Sequence, residues 1–254
     1  MITQLTDILL RAGEMICQSR AFDVKIKEGH ANFVTTVDSA VENELKSALH
    51  ELRPDASFIG EEQDNLPLGP EPTWVIDPID GTTNFIHDYR FSAISVALLE
   101  NRRPVLGAVY QPYAKELFHA VRGEGAYLNG RPIHVTTTPF SQALVGFGTS
   151  PYHPDLAKKS LDAALQCLLK AADVRRCGSA ALDLAYVAAG RQDLYFELTL
   201  KPWDYAAGAL LVEEAGGVFV MPRLDEVDFA KSEGVIAASP ACYDEAADVL
   251  RPYW

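Results

Sequence analysis

Several features that identify common protein classes are missing from this chain. Its cysteines form no Cys-x-x-Cys pair, and its six histidines show no metal-ligand spacing. The sequence therefore argues against a structural zinc site, and scattered thiols are typical of reduced cysteines rather than of a disulfide framework. A metal ion, if the chain binds one, must be held by oxygen ligands.

Long apolar runs and basic charge are also scarce. Residues 1–20 are interrupted by four charged residues, so they lack the apolar core of a signal peptide, and no later segment approaches a membrane span. The chain has 22 Lys and Arg against 35 Asp and Glu, a formal net charge of -13. This charge argues against direct binding to nucleic acid or to an anionic membrane. We therefore expect a cytoplasmic protein.

The chain is long enough to bury a sizeable core. Its 254 residues, 48% of them hydrophobic, suit one large domain or two smaller ones that share an interface. The pattern changes near residue 140, after which strands and helices alternate. We predict an α/β fold with an α+β part at 1–139 and an α/β part at 140–254. One helix of the second part is predicted at 154–171, with Leu156, Leu161, Leu165 and Leu168.

The most informative segment is an apolar run that ends in two acids. Residues 74–76 predict a short buried strand, which we expect to stop at Asp77 because a proline follows and cannot donate to a sheet ladder. Asp77 and Asp80 repel each other unless a cation lies between them. Gly81 permits close backbone approach to a ligand, and Thr82 opens a helix whose amides favour an anion. Together these features indicate metal-assisted chemistry on a phosphate, although each alone also fits an ordinary turn or cap.

Other candidate residues have two interpretations each. Glu61 follows a second predicted strand, where a solvated acidic loop is the alternative to a site residue. Asp38 is expected to cap an amphipathic helix, or else to orient a hydroxyl, and Asp204 begins a later helix where a cap explains it. Lys27 lies in the polar segment 25–32, which we expect to be a mobile loop.

These segments become specific when they are taken together. They are Gly60-Glu61-Glu62, the run from Asp77 to Phe85, Trp203-Asp204 followed by Ala206-Ala207-Gly208, and Glu214-Ala215-Gly216-Gly217. In order and spacing they resemble the signatures of the inositol monophosphatase family, which consists of magnesium-dependent, lithium-sensitive phosphatases. The resemblance covers nearly the whole chain. It implies a layered αβαβα sandwich of the sugar phosphatase type, and a homodimer.

The resemblance also implies a role for each matching residue. Two or three Mg²⁺ ions would be bound by the side chains of Glu61, Asp77, Asp80 and Asp204 and by the backbone carbonyl of Ile79. Oxygen ligands of this kind are those that Mg²⁺ prefers. Thr82, oriented by Asp38 and working with Glu61, would position and activate the attacking water.

Substrate contacts are implied for Gly81, Thr82, Lys27, Arg176 and Glu197. The amides of Gly81 and Thr82 would hold phosphate oxygens, and Lys27 matches a family lysine near the third metal. Glu197 would accept hydrogen bonds from sugar hydroxyls, or be a surface residue at a strand end. Arg176 replaces a serine of animal members, as in the bacterial branch, and a fixed guanidinium there would favour a second anionic group.

We consider three hypotheses for function. The first is a phosphomonoesterase that hydrolyses inositol 1-phosphate or a similar small polyol phosphate by direct attack of water. The second keeps this chemistry and changes the substrate to fructose 1,6-bisphosphate, histidinol phosphate or NADP. The third is a protein-binding role in a transcription complex, as suggested for some bacterial relatives.

Overall fold

The computed structural model describes residues 1–28, 32–61 and 67–254, apart from the side chain of Glu28. The helices in this part of the chain are α1 (Ile2–Gln18), α2 (Thr36–Leu52), α3 (Thr82–Ile86), α4 (Ala157–Leu168), α5 (Ala180–Ala188), α6 (Pro202–Glu214) and α7 (Pro240–Leu250). The strands are β1 (Val24–Glu28), β2 (Asn32–Thr35), β3 (Ser57–Gly60), β4 (Thr73–Asp80), β5 (Ala93–Glu100), β6 (Arg103–Gln111), β7 (Glu116–Val121), β8 (Gly125–Leu128), β9 (Arg131–Ile133), β10 (Leu144–Phe147), β11 (Asp173–Arg175), β12 (Leu194–Leu200), β13 (Val218–Val220) and β14 (Glu233–Ala238).

The strands form two large sheets and a small one. The seven-stranded sheet has the order β3-β4-β5-β6-β7-β8-β9 and is antiparallel except between β3 and β4. The five-stranded sheet has the order β11-β10-β12-β14-β13, with β10 parallel to both of its neighbours. Strands β1 and β2 pair antiparallel beside them. Each large sheet must bury two apolar faces, which requires helices on both sides.

Five layers satisfy this requirement. Helices α1 and α2 cover one face of the seven-stranded sheet, and α5 and α6 lie between the two large sheets. Helices α4 and α7 cover the outer face of the five-stranded sheet. The predicted αβαβα sandwich is therefore confirmed. The division into parts at 1–139 and 140–254 stays a prediction, since α5 and α6 pack against both sheets.

Strand β4 carries acidic residues from the core to the sheet edge. All eight of its residues are buried, and Trp74 and Ile76 pack against α1 and α2. The prediction that this strand stops at Asp77 was wrong, because β4 continues past Pro78 to Asp80. The register with β5 shifts between Asp77 and Asp80. The proline therefore lies where the regular ladder is already interrupted, and its missing N–H costs no ladder bond.

Helix α4 shows how packing can override an apolar pattern. Its small residues face the sheet, whereas Leu161, Leu165 and Leu168 are 56%, 50% and 46% exposed. Because small side chains allow close approach of helix and sheet, the leucines are left on the outer face. Within the described residues, no helix is both long and apolar enough to cross a membrane.

Candidate active site

A cavity of about 180 Å³ lies where β3, β4, β12 and α6 meet. Nine of the predicted site residues line it, namely Lys27, Glu61, Asp77, Ile79, Asp80, Gly81, Thr82, Glu197 and Asp204. An adjoining cavity of about 220 Å³ shares several of these residues and adds Arg176. Asp38 lies behind this surface, in contact with Thr82. The structure thus places all of the predicted residues in one region.

Three carboxylates form the centre of the site. Asp77, Asp80 and Asp204 each have an oxygen within 4.8 Å of the others. Strand β4 positions the first two, and α6 positions the third. Asp204 does not begin its helix as predicted, because Pro202 occupies the first position and Asp204 the third, where it accepts the Lys201 N–H at 2.8 Å.

The three carboxylates repel each other when they are ionised, because they are buried close together. Burial raises the pKa values of Asp77 and Asp204 well above their ordinary range, and the neighbouring carboxylates raise them further. Burial also raises the pKa of Asp80 to about 6, although Ser179 Oγ and the Ala181 N–H donate to it. A cation would relieve this repulsion. An all-oxygen donor set of this kind fits a hard divalent cation such as Mg²⁺.

Glu61 and Lys27 form an ion pair at the cavity wall. Lys27 Nζ donates to Glu61 Oε1 at 2.9 Å, and the two side chains are 23% and 15% exposed. Burial raises the pKa of Glu61, and the charge of Lys27 lowers it. The predicted mobile loop at 25–32 was wrong for residues 25–28 and for Asn32, because they belong to strands β1 and β2, which pair with each other. Residues 29–31 lie outside the described residues.

Thr82 and Asp38 meet across two elements. Thr82 Oγ1 lies 3.1 Å from the Ile79 carbonyl oxygen and 3.4 Å from Asp38 Oδ1, so its single proton is directed towards one of these two acceptors. The prediction that Asp38 caps α2 was wrong in position, since Thr35 is the N-cap. Asp38 completes a capping box by accepting the Thr35 N–H at 2.8 Å. This leaves its other oxygen to orient the hydroxyl.

Gly81 is required by the backbone at the start of α3. Its φ of +89° lies in the left-handed region, and a Cβ there would be 3.0 Å from the Gly178 carbonyl oxygen and 3.1 Å from that of Phe91. A side chain would therefore strain the turn and push against two backbone groups. The turn places Gly81 and Thr82 on the cavity wall beside the carboxylates.

Glu197 is a buried residue of β12 rather than a surface residue at a strand end. Its Oε1 accepts the Ser150 N–H at 2.7 Å, and its Oε2 accepts the Tyr195 hydroxyl at 2.7 Å. Arg176 is exposed, and its Nη2 donates to Thr149 Oγ1 at 3.1 Å. A fixed carboxylate and a guanidinium therefore face the adjoining cavity together.

Comparison with known proteins agrees with this arrangement. The model of the inositol monophosphatase family matches residues 1–253. The chain belongs to the inositol monophosphatase family. It is 37% identical to inositol monophosphatase 1 of Solanum lycopersicum, covering 96% of this chain and 92% of that protein. It is 38% identical to Nus factor SuhB of Pseudomonas aeruginosa, covering 95% and 92%. The solved IMPase of Thermotoga maritima superposes with a TM-score of 0.90 at 29% identity, covering 99% and 97%.

Membership of the inositol monophosphatase family makes this chain a phosphatase that hydrolyses phosphate monoesters. Sequence reasoning missed one segment of its cavity wall, residues 148–153. Gly148 packs so closely on Glu197 that a Cβ would overlap the carboxylate, and Ser150 binds that same group. Tyr152 and His153 complete the wall. The segment carries a Ser-Pro turn signal but no acid, so its sequence indicated no chemistry.

Asp183 of α5 is a buried acid near the site of this phosphatase. It is 1% exposed, its Oδ1 accepts Gln192 Nε2 at 2.8 Å, and burial raises its pKa from 3.8 to about 8. At pH values between 3.8 and about 8, Asp183 keeps its proton in the folded state and releases it in the unfolded state. The free energy of unfolding therefore falls as pH rises through this interval.

We expect Asp183→Asn to reduce this fall, because asparagine keeps an acceptor oxygen and cannot ionise. The measurement is thermal denaturation in EDTA at a series of pH values. The matched control is Asp225→Asn, the same change at an exposed aspartate, which should keep the slope of the parent chain. The expectation is contradicted if Asp183→Asn keeps that slope too.

Proposed function

We propose that this phosphatase hydrolyses inositol 1-phosphate or a similar small polyol phosphate with the help of two or three Mg²⁺ ions. The observation that carries the proposal is the meeting of three kinds of group at one cavity. The clustered carboxylates of Asp77, Asp80 and Asp204, the turn at Gly81 and the carboxylate of Glu197 all line it. Groups suited to cations, to a phosphate and to polyol hydroxyls are thus present in the same site.

The residues suited to hold the ions are Glu61, Asp77, Asp80, Asp204 and the carbonyl of Ile79. Bound Mg²⁺ would supply Lewis-acid stabilisation of the charge that develops on the phosphate and leaving-group oxygens. Thr82 Oγ1, held by Asp38 and Ile79, would orient the attacking water. Glu61 would accept a proton from that water, and Lys27 keeps the Glu61 carboxylate in place.

Substrate choice would depend on Glu197 and Arg176. Ser150 and Tyr195 hold the Glu197 carboxylate but leave acceptor sites for hydroxyl groups. Arg176 adds a positive charge at the same cavity. This charge favours a substrate with a second anionic group, such as fructose 1,6-bisphosphate or NADP. Histidinol phosphate stays an alternative because the same phosphate chemistry would hydrolyse it.

A substrate panel at matched concentrations, with Mg²⁺ or with EDTA, tests the proposal. We expect the highest kcat/KM for inositol 1-phosphate, no phosphate release in EDTA, and recovery when Mg²⁺ is restored. Arg176→Ser should lower the activity on fructose 1,6-bisphosphate relative to inositol 1-phosphate. Arg175→Ser is the matched control, since Arg175 pairs with Asp173 at the surface. A clear preference for another substrate, or undiminished release in EDTA, would refute the proposal.

We further propose that the chain is a cytoplasmic homodimer. The exposed leucines of α4, Leu161, Leu165 and Leu168, offer an apolar surface for self-association, which sedimentation velocity would measure.

The name of the Pseudomonas relative, Nus factor SuhB, supports a protein-binding role in a transcription complex as a second candidate. The same α4 surface would suit such a contact.

A further inference from the structure

A separate cavity of about 500 Å³ lies at the opposite end of helix α3 from the active site. The end of α1, the end of α3 and the turn between β6 and β7 surround it. Helix α3 starts at the active site with Thr82 and reaches this cavity with Phe85 and Ile86. None of the residues that line it belongs to the proposed catalytic machinery.

The cavity has an aromatic floor and a cationic rim, and we call it the basic pocket. The rings of Phe22 and Phe85 pack with their centroids 4.8 Å apart. The rim consists of Arg20, Arg90 and Lys115. Burial raises the pKa of the Cys17 thiol, and all three cations lower it, so each of them lies within electrostatic reach of a thiol that lines the same cavity.

The positive charge of this rim is only partly compensated. Arg90 pairs with Asp88, whose two carboxylate oxygens lie 3.1 and 3.2 Å from its nitrogens. In the described part of the chain, no carboxylate lies within 4.0 Å of the Arg20 or Lys115 side-chain nitrogens. The basic pocket therefore keeps an excess of positive charge in a chain whose formal net charge is -13.

The backbone around the basic pocket is also unusual. Asp88, Arg90 and Lys115 have φ values of +49°, +60° and +55°, a conformation that non-glycine residues adopt at a cost. Such strain persists where surrounding structure holds it, and it is frequent at ligand-binding sites. In this chain the strained residues lie on two sides of one cavity, the basic pocket.

We propose that the basic pocket binds a small phosphate-type dianion with an aromatic body. The unpaired charges of Arg20 and Lys115 match the two charges of such a group, and the floor of Phe22 and Phe85 matches a ring. The cavity volume lies within the range of about 300–1,000 Å³ that is usual for small-molecule sites. This site is distinct from the site at which the proposed substrate is hydrolysed.

A purely structural explanation makes different predictions. Helices α1 and α3 both end at the basic pocket, and cations stabilise a helix C-terminus. If the cations have only this structural role, replacing Arg20 and Lys115 lowers thermal stability and leaves the affinity for an aromatic dianion unchanged.

The probe is phenylphosphonate, an aromatic dianion that a phosphatase cannot hydrolyse, titrated calorimetrically into the full chain in EDTA. We expect saturable binding that the double variant Arg20→Gln/Lys115→Gln weakens about tenfold, since each exposed charge contributes a modest part of the affinity. The matched control is Arg131→Gln/Lys170→Gln, exposed cations elsewhere, which should bind as the parent chain does. Methylphosphonate, which lacks the ring, should bind more weakly.

Alkylation of Cys17 locates the bound probe. Cys17 and Cys177 are both half-buried thiols, and of the two only Cys17 lines the basic pocket. Phenylphosphonate should slow iodoacetamide labelling of Cys17 and leave that of Cys177 unchanged, as read by peptide mass spectrometry. Absence of saturable binding, an unchanged affinity in the double variant, or no protection of Cys17 would each overturn the proposal.

Discussion

Asp80→Asn is expected to lower the rate of phosphate release about 1000-fold, since a bound cation contributes several kcal/mol of transition-state stabilisation and each 1.36 kcal/mol is a factor of ten. Asp80 belongs to the group of three carboxylates whose oxygens lie within 4.8 Å of one another. Removing its charge weakens the attraction for any cation between Asp77 and Asp204. The measurement is kcat on inositol 1-phosphate at saturating Mg²⁺.

The same substitution is expected to leave the fold intact. The pKa of Asp80 rises from 3.8 to about 6 in the folded chain, so its stabilising effect is complete below the lower value and is lost as pH rises through the higher one. Asparagine stays neutral and keeps an oxygen for the Ala181 N–H. In EDTA at about pH 8, the variant should therefore unfold at the same temperature as the parent chain or higher.

Asp173→Asn is the control for this experiment, because it makes the same change at an exposed residue paired with Arg175. It should keep full activity. Near-normal turnover by Asp80→Asn would remove the metal mechanism. Loss of activity together with a lower unfolding temperature would show that Asp80 matters for folding instead.

Thr82→Val is expected to lower kcat about 100-fold with little change in KM, since positioned proton transfer and orientation contribute factors of this order. Valine keeps the shape of threonine and removes the hydroxyl that contacts Asp38 and the Ile79 carbonyl. Thr82→Ser keeps that hydroxyl and should retain most of the activity. Steady-state kinetics on the three proteins measures the difference.

Thr3→Val is the matched control, because it makes the same change at an exposed threonine of α1 that lines neither cavity of the site. It should behave as the parent chain does. Equal kcat values for Thr82→Val and Thr82→Ser would mean that the hydroxyl does not position the water. Circular dichroism of each variant checks that α3 and its surroundings remain folded.

The family, the fold class and the site motifs of this protein could be predicted from its sequence, because they depend on local chemistry. The acids that follow apolar runs and the order of motifs identified the family, and the alternation of elements led to the α/β fold. Gly81 shows why such inferences work, since its left-handed φ belongs to its own turn, although the Gly178 and Phe91 carbonyls that also exclude a side chain lie outside that turn. The roles of the individual site residues stay predictions that the substitutions test.

Other features depend on contacts between segments that are distant in the chain. Asp38 reaches Thr82, and Ser150 fixes Glu197, only because helices and sheets pack in a particular order. The outward leucines of α4 and the basic pocket have the same origin. The sequence alone determined which chemical groups this phosphatase carries and the local turns that present them. Tertiary structure decided which groups meet, because periodicity specifies the face of an element but not the partner against which it packs.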